Sequence, residues 1–131
     1  MISRKENIKA LPSRLGKEEY CYITTTGRVT GKPHKIEIWF GLHNETIYLL
    51  SGGMDQSDWV KNMKKDPSVT VRVAKHNFQA SARIVMDQNE EKMARHLLAG
   101  KYQGWKDGKK LSEWARSALP VALDLVEESN A

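Results

Sequence analysis

Residues 20–40 read YCYITTTGRVTGKPHKIEIWF. The run before Gly27 is β-prone, and the residues after Lys35 alternate between apolar and polar side chains, as in a half-buried strand. The segment between these runs is small, polar and basic. We therefore predict two strands joined by a basic loop. Hydroxyls, glycines and cations spaced this closely suit an anion such as a phosphate, and a basic hairpin turn without a ligand is an equal alternative.

The remaining residues predict further strands and short helices around this hairpin. About six strands are expected, at residues 20–26, 35–42, 46–51, 68–73, 78–85 and 120–126. Helical spacing predicts short helices near 5–15, from Asp55 or Ser57 to before Pro67, at 89–98 and at 111–118. Most connections are hairpin-like, which favours a mainly β (α+β) fold, a split antiparallel barrel with covering helices, over a parallel doubly wound sheet. We expect one domain over residues 1–131, with residues 1–16 as a helical extension.

Composition narrows the class of protein. The net charge of +5 and the pI near 9.4 favour anionic partners. Because the cations are scattered along the chain, this charge favours a nucleic-acid partner only slightly. No apolar run approaches the ~20 residues of a membrane span, and the first residues lack the apolar core of a signal peptide. We therefore expect a cytoplasmic protein. The single cysteine, Cys21, excludes an internal disulfide and predicts a buried, inert thiol, and the histidine spacing predicts no metal site.

Three groups of residues could carry chemistry. The basic loop offers Arg28, Lys32 and Lys35 to an anion, with Gly27 and Gly31 allowing close backbone approach.

The second group is Ser51-Gly52-Gly53, where a strand ends shortly before a helix that carries Trp59 and Asn62 on one face. This group could bind a flat ring against its exposed backbone. The alternative is a routine turn between strand and helix.

The third group is the glycine-rich segment 100–110 with Tyr102 and Trp105. These aromatic rings could form a lid over a substrate pocket, which we favour, or anchor the loop on the barrel. No catalytic nucleophile motif is present, so we expect a bound organic cofactor to supply the chemistry.

Several motifs occur in this chain in a characteristic order. They are residues 24–33, Ile38-Trp39-Phe40, Ser51-Gly52-Gly53, Trp59, Asn62 and Asp66-Pro67. Together they resemble the deazaflavin (F420)-dependent nitroreductase family. That family lies within the split β-barrel flavin and deazaflavin oxidoreductases, the pyridoxamine 5'-phosphate oxidase-like, FMN-binding superfamily. The likeness covers residues 20–73 well and the rest loosely. It implies a groove for coenzyme F420 between the basic loop and the glycine turn.

The resemblance also implies residue roles. The implied cofactor-binding residues are Thr26, Gly27, Arg28, Lys32, Pro33, Lys35, Trp39, Ser51, Gly52, Gly53, Trp59 and Asn62. Tyr102 and Trp105 would line the substrate pocket. No protein residue is expected to be catalytic, because the reduced cofactor would transfer a hydride to a quinone, a nitro compound or an activated alkene.

Four alternatives or open points remain at this stage. FMN could replace F420, the barrel could bind a cofactor or ligand without turnover, and a nucleic-acid-binding barrel is a third, disfavoured reading. We expect a small-molecule acceptor, no nucleic acid and no integral membrane segment. Monomer and homodimer both remain open.

Overall fold

Residues 13–129 are described by a computed structural model. Its strands form one antiparallel sheet with the order β2-β1-β5-β6-β7-β4-β3. The strands are β1 Cys21–Thr26, β2 Pro33–Ile38, β3 Gly41–His43, β4 Thr46–Ser51, β5 Ser68–Val73, β6 His76–Ile84 and β7 Leu119–Ser129. The helices are α1 Asp58–Lys65, α2 Gln88–Gln103 and α3 Glu113–Ser117, with 3₁₀ turns at Ser13–Lys17 and Met54–Gln56. The predicted mainly β, antiparallel fold is confirmed, whereas most of the predicted N-terminal extension lies outside the described residues.

The sheet curls because its two edge strands are neighbours in the chain. Only Trp39 and Phe40 separate β2 at one edge from β3 at the other. A two-residue link cannot cross a flat sheet of this width, so the two edges must approach each other. The predicted strand over residues 35–42 is therefore broken in two, and this part of the prediction is wrong.

The backbone of Phe40 finds partners on α2 instead of on a strand. Its N–H donates to Tyr102 Oη at 3.0 Å, and its carbonyl accepts from Lys101 Nζ at 2.9 Å. The Phe40 ring is fully buried, and Lys101 Nζ lies 3.7 Å from the ring centroid. Helix α2 thus satisfies the polar groups that the strand break leaves free.

Two apolar clusters lie on opposite faces of the curled sheet. The inner cluster is the barrel core, with Ile23, Val71, Phe78 and Leu123 at its centre. The outer cluster packs α2 against β4 and β7 through Tyr48, Leu50, Ala94, Leu98 and Ala122. Strand β4 is consequently buried on both faces, since the inner barrel takes one side and α2 takes the other.

Helix α2 is longer than the predicted segment 89–98. Asp87 caps its first turn by accepting from the Glu90 N–H, and the helix ends at Gly104, whose φ is +65°. Gly100 is tolerated inside the helix because packing on β4 outweighs its low helix propensity. Tyr102 therefore belongs to the last helical turn, so its prediction as part of a flexible loop is wrong.

Arg95 fixes the short helix α3 against α2. Its Nη1 donates to the carbonyls of Ala115 and Ala118 at 3.0 and 2.8 Å, and its Nε and Nη2 both donate to Glu91 Oε2. These carbonyls lie at the end of α3, where a cation is favoured by the helix dipole. The position of Trp114 on α3 is set by this contact.

The predicted state of Cys21 is confirmed. The thiol is fully buried, and burial raises its pKa to about 12. Among the described residues, no helix combines the length and apolarity needed to cross a membrane.

A charged cluster ties α2 to the sheet. Arg83 on β6 donates from Nη1 and Nη2 to both carboxylate oxygens of Glu90 at 2.8 and 2.7 Å, and from Nε to Asp124 at 2.7 Å. Tyr48 Oη also donates to Glu90 at 2.6 Å. The hydrogen bonds from Arg83 lower the pKa of Glu90 from 4.5 to about 2.

We expect Glu90→Gln to destabilise the protein, because it removes the ion pair between Glu90 and Arg83. The loss should be only about 1 kcal/mol at neutral pH, since Arg83 is half-exposed and solvent weakens this pair. The folded pKa lies below the ordinary value, so the stabilisation is complete above pH 4.5 and is lost as the pH falls towards 2. Urea denaturation of wild type and variant should converge at low pH, with Asp107→Asn as the control. A constant difference from pH 7 to pH 2.5 would contradict the assignment.

Candidate functional site

The basic loop between β1 and β2 is closed by its own backbone. The Gly27 N–H donates to the Lys32 carbonyl, and the Gly31 N–H donates to the Gly27 carbonyl, both at 2.8 Å. A Cβ on Gly27 would come within 2.8 Å of His34 Nε2 and 2.9 Å of the Lys32 oxygen. Gly31 has a φ of +77°. The two glycines of the sequence motif are thus needed for the loop itself, whether or not a ligand binds.

Arg28 attaches this loop to one face of α1. Its backbone N–H and its Nη1 both donate to Asn62 Oδ1, at 3.2 and 2.9 Å, and its Nη2 donates to Asp58 Oδ1 at 3.1 Å. Lys65 Nζ donates to the Arg28 carbonyl at 2.8 Å. Positions 58, 62 and 65 recur at helical spacing, so a single loop residue meets one whole helix face.

Asn62 is almost completely buried, with 1% of its surface exposed. Besides accepting from Arg28, it donates from Nδ2 to Thr25 Oγ1 at 3.1 Å. Its role as a direct cofactor contact stays a prediction, and this burial favours a different role, the positioning of Arg28. Trp59, its predicted companion, packs half-buried against the barrel core.

Two clefts flank the loop. One, of about 210 Å³, includes Arg28, His34 and Asp58, and the other, of about 480 Å³, includes Thr26, Gly31 and Lys65 in its wall. Lys32, Pro33, His34 and Lys35 are all exposed beside them, and Lys35 Nζ lies 5.1 Å from the Tyr22 ring centroid. His34, which was not predicted as a site residue, lies opposite Thr25 in the strand register.

The Ser51-Gly52-Gly53 turn is fixed to the start of α1. Ser51 Oγ donates to the Met54 carbonyl at 2.9 Å and lies 3.0 Å from Ser57 Oγ. Gly52 is exposed, and a Cβ placed on it would lie 3.7 Å from Trp114 Cδ1. The predicted turn between strand and helix is confirmed, and its open backbone at Gly52 faces an aromatic side chain.

A hollow of about 400 Å³, here called the aromatic hollow, lies beside this turn. It is lined by Tyr20, Glu37, Ile38, Trp39, Leu50, Gln103 and Trp114. Trp39 stands edge-to-face with Trp114, with centroids 5.5 Å apart and planes at 82°. Tyr20, Gln103 and Trp114 were not predicted as site residues, because only the curled sheet and α3 bring them together.

Of the two predicted substrate-pocket residues, only Tyr102 lies against a wall of the hollow. Its ring stacks on Trp39 at 4.3 Å with planes 5° apart, and its Oη is 2.7 Å from the Glu19 carbonyl. The stacked Tyr102 ring therefore holds Trp39 in place. Burial raises the pKa of Tyr102 to about 12.

Trp105 anchors the following loop. Its ring stacks on His96 at 4.0 Å, and its Nε1 donates to the Lys109 carbonyl at 2.8 Å. Both aromatic side chains are packed in this structure, which favours the alternative that they anchor the loop on the barrel. Their predicted place in the substrate pocket stays a prediction.

The basic loop and the aromatic hollow lie at opposite ends of β2. Pro33 begins the strand beside the loop and Ile38 ends it at the hollow. The usual rise of a strand makes this distance about 17 Å. Ser57 and Asp58 connect the two ends, because Ser57 contacts the glycine turn and Asp58 contacts Arg28. The family resemblance predicts the cofactor groove along this path, and we use the name groove for the path.

We expect Asn62→Leu to destabilise the protein by about 2 to 4 kcal/mol, because it leaves buried Thr25 and the Arg28 groups without their partner. Asn89→Leu on the exposed face of α2 is the matched control and should change stability by less than about 0.5 kcal/mol. Urea denaturation measures both changes. Equal effects of the two substitutions would show that the contact between the loop and α1 contributes no stability.

Solved structures share this fold at low sequence identity. An F420-H2-dependent reductase matches with a TM-score of 0.64 and 17% identity, covering 80% of this chain and 93% of that one. A conserved hypothetical protein from Mycobacterium tuberculosis matches at 0.70 and 16%, covering 95% and 79%. A putative pyridoxamine 5'-phosphate oxidase from Listeria innocua matches at 0.66 and 14%, covering 88% and 90%. These likenesses support the split-barrel fold.

The sequence itself carries the family signal. The family model for F420H(2)-dependent quinone reductases matches residues 2–124, which include the basic loop, the glycine turn, α1 and every residue of the aromatic hollow. This match covers nearly the whole chain. The chain therefore belongs to the F420H(2)-dependent quinone reductase family.

Proposed function

We propose that the protein binds reduced coenzyme F420 along the groove and uses it to reduce a small organic acceptor, with a quinone as the first candidate and a nitro compound or activated alkene as others. Family membership supports the cofactor and the oxidoreductase class. The observation that supports this placement is the pairing of an aromatic hollow with a cationic loop about 17 Å away along β2. A cofactor with a flat ring at one end and an anionic tail at the other matches that polarity.

The basic end suits phosphate and carboxylate groups. Lys32, His34 and Lys35 are exposed, and the Arg28 side chain keeps 32% of its surface exposed. The present partner of its Nη2, Asp58, is 82% exposed. An anion can therefore exchange with this carboxylate without unfolding the contact between Arg28 and Asn62.

The other end suits a ring system. Gly52 presents backbone without a side chain, and Trp39 and Trp114 supply aromatic surface next to it. Ser51 and Gly53 hold the turn in place through Ser57, since a Cβ on Gly53 would lie 2.4 Å from Ser57 Oγ. Thr26 and Pro33 pair at the base of the hairpin and set the direction of the basic loop.

The bound reduced cofactor would supply a hydride, and the acceptor would take up one proton as it gains that hydride, so that a quinone becomes a hydroquinone. The residues of this chain then have three tasks: they bind the anionic tail, orient the ring and limit water in the aromatic hollow. No protein nucleophile is required. Whether the protein acts as a monomer or a homodimer stays a prediction.

Purified protein is expected to bind F420 with micromolar affinity or better, which corresponds to a free energy of ~8 kcal/mol. F420 fluorescence and absorption spectra with F420 or FMN measure the preference. FMN binding without F420 binding would replace this proposal with the flavin alternative. Binding without turnover of quinones or nitroaromatics would favour a carrier or storage module.

We expect Lys32→Ala to weaken F420 binding at low ionic strength, with a smaller difference at high salt because ions screen an exposed charge. Lys75→Ala, which removes an exposed lysine from the turn between β5 and β6, is the matched control. Titrations at two salt concentrations separate the variants. Identical salt slopes for both would place the anionic tail elsewhere.

Asp58→Asn is expected to tighten F420 binding about two- to fivefold, since the ion pair with Arg28 competes with the ligand anion. Asp55→Asn is the control, because Asp55 lies in the neighbouring 3₁₀ turn and faces Lys64 at 4.0 Å. Unchanged F420 affinity in both variants would show that the Arg28 guanidinium does not exchange Asp58 for the ligand anion.

A further inference from the structure

Strand β2 is an edge of the sheet, and within residues 13–129 it pairs with β1 alone. At the start of this ladder the Gly27 N–H donates to the Lys32 carbonyl. Hydrogen-bonded and non-hydrogen-bonded pairs alternate along an antiparallel ladder, so the even-numbered residues of β2 direct their N–H and C=O groups at β1. The backbone groups of Lys35 and Glu37 consequently point away from β1, towards the free edge.

This free edge is open to another strand. Lys35 and Glu37 are both exposed, and no described residue outside the ladder with β1 bonds to their backbone groups. The opposite edge strand, β3, pairs with β4 and has only three residues, whereas β2 has six. A row of unpaired N–H and C=O groups on an edge strand is a template for a further strand.

The side chains of this edge favour a second copy of β2 in antiparallel orientation. Residues that point to the free edge must face each other when two such strands pair. Only one register then places Lys35 opposite Glu37 of the second copy, and twofold symmetry forms that pair twice. The neighbouring registers place Lys35 opposite Lys35, or Glu37 opposite Glu37, and like charges directly opposite each other are destabilising.

The same register also satisfies the other groups of the edge. Each copy would donate from the N–H groups of Lys35 and Glu37 and accept at their carbonyls. Tyr22 Oη donates to Glu37 Oε1 at 2.7 Å, while Glu37 Oε2 has no partner within the described residues and can accept from a lysine. Ile36, partly buried against the barrel core, would meet its own copy at the twofold axis on the other face.

We propose that two copies of this chain associate by antiparallel pairing of β2, with Lys35 of each copy opposite Glu37 of the other. The contact is one strand wide, so it belongs with weak, transient interfaces. The assembly stops at two copies, because the symmetry uses the long edge of both chains and β3 is too short to extend the sheet.

The dimer has a consequence for cofactor binding, and this consequence alone rests on the proposed function. The proposed F420 complex gives Lys35 to the anionic tail, whereas the dimer gives the same ammonium to Glu37 of the second copy. The two events therefore compete for Lys35. By linkage, F420 raises the dissociation constant of the dimer by the factor by which dimer formation weakens F420 binding.

Sedimentation equilibrium of the cofactor-free protein, over a concentration series at low salt, measures the dimer dissociation constant. Lys35→Glu places carboxylates opposite each other at both ends of the contact, so the constant should rise about tenfold or more. Lys75→Glu makes the same charge change in the exposed turn between β5 and β6. This matched control should leave the constant within about twofold. Wild-type protein that stays monomeric throughout the series would overturn the proposal.

A charge swap tests the register. Glu37→Lys alone should weaken the dimer as Lys35→Glu does, and the double variant should restore it, because opposite charges again face each other. Damage to the fold cannot produce this rescue. A double variant that remains as weak as the single variants would overturn the pairing of Lys35 with Glu37.

Amide hydrogen exchange followed by NMR tests the strand itself. The Lys35 and Glu37 amides should exchange more slowly at high protein concentration than at low concentration, since only the dimer gives them acceptors. The Ile36 amide already faces β1 and serves as the internal control. Concentration-dependent protection that is confined to another surface would overturn pairing through β2.

Addition of F420 separates this inference from the proposed function. Cofactor fluorescence measures F420 affinity, and saturating F420 should shift the protein towards monomer. F420 binding that leaves the dimer dissociation constant unchanged would overturn the competition for Lys35. A dimer with the expected charge-swap behaviour and no F420 binding would support pairing through β2 and overturn the proposed function instead.

Discussion

The structure depends on a geometric constraint, the two-residue link of Trp39 and Phe40 between opposite edges of one sheet. The link closes the barrel only if its backbone polar groups find partners outside the strands. Tyr102 and Lys101 on α2 supply them. Burial lowers the pKa of Lys101 to about 8, so its ammonium is held against the Phe40 carbonyl and ring at a cost in desolvation. Closure of the barrel and docking of α2 therefore depend on the same contacts.

The same constraint creates the aromatic hollow. Trp39 must lie where the sheet turns over, and Tyr102 packs against it because the helix that closes the link also carries this ring. Helix α3 follows from α2 through Arg95, which brings Trp114 to the second wall. The two indole walls of the hollow are therefore held by contacts that the fold itself makes. Walls held in this way are preorganised for a ring.

Much of this architecture is visible in the sequence, and the exceptions share a cause. The alternation after Lys35 predicts a strand correctly, and the glycine turn at Gly52 is found from its position between a strand and a helix. The break at Trp39 could not be found, because nothing local distinguishes one bent strand from two. The contact between Asn62 and Arg28 could not be predicted either. A polar residue on an amphipathic helix is indistinguishable from a solvated one until the partner at Arg28 is known.

The neighbours of Tyr102 and Trp105 also differ from those that the local sequence predicts. Tyr102 follows Gly100, and a glycine usually argues against a helix interior, yet packing against the outer face of the sheet extends α2 past it. Trp105 follows Gly104, where the helix does end, and its ring is held by His96. The hollow gains Gln103 and Trp114 through tertiary contacts alone. Periodicity reports which face of an element is apolar, but it does not report which other element covers that face.

The two ends of the groove differ in how much freedom their side chains keep, and under the proposed function this difference implies a binding order. Trp39 and Trp114 in the hollow are packed against aromatic neighbours, whereas the lysines of the basic loop are exposed and Arg28 shares its charge with a mostly exposed Asp58. Exposed charges act over roughly 10 Å in about 0.1 M salt, so in the proposed complex the anionic tail would be attracted before any ring contact forms. The hollow would then select the ring by shape at short range. The ion pair between Asp58 and Arg28 offsets part of the positive charge of the loop and helps to hold the loop against α1.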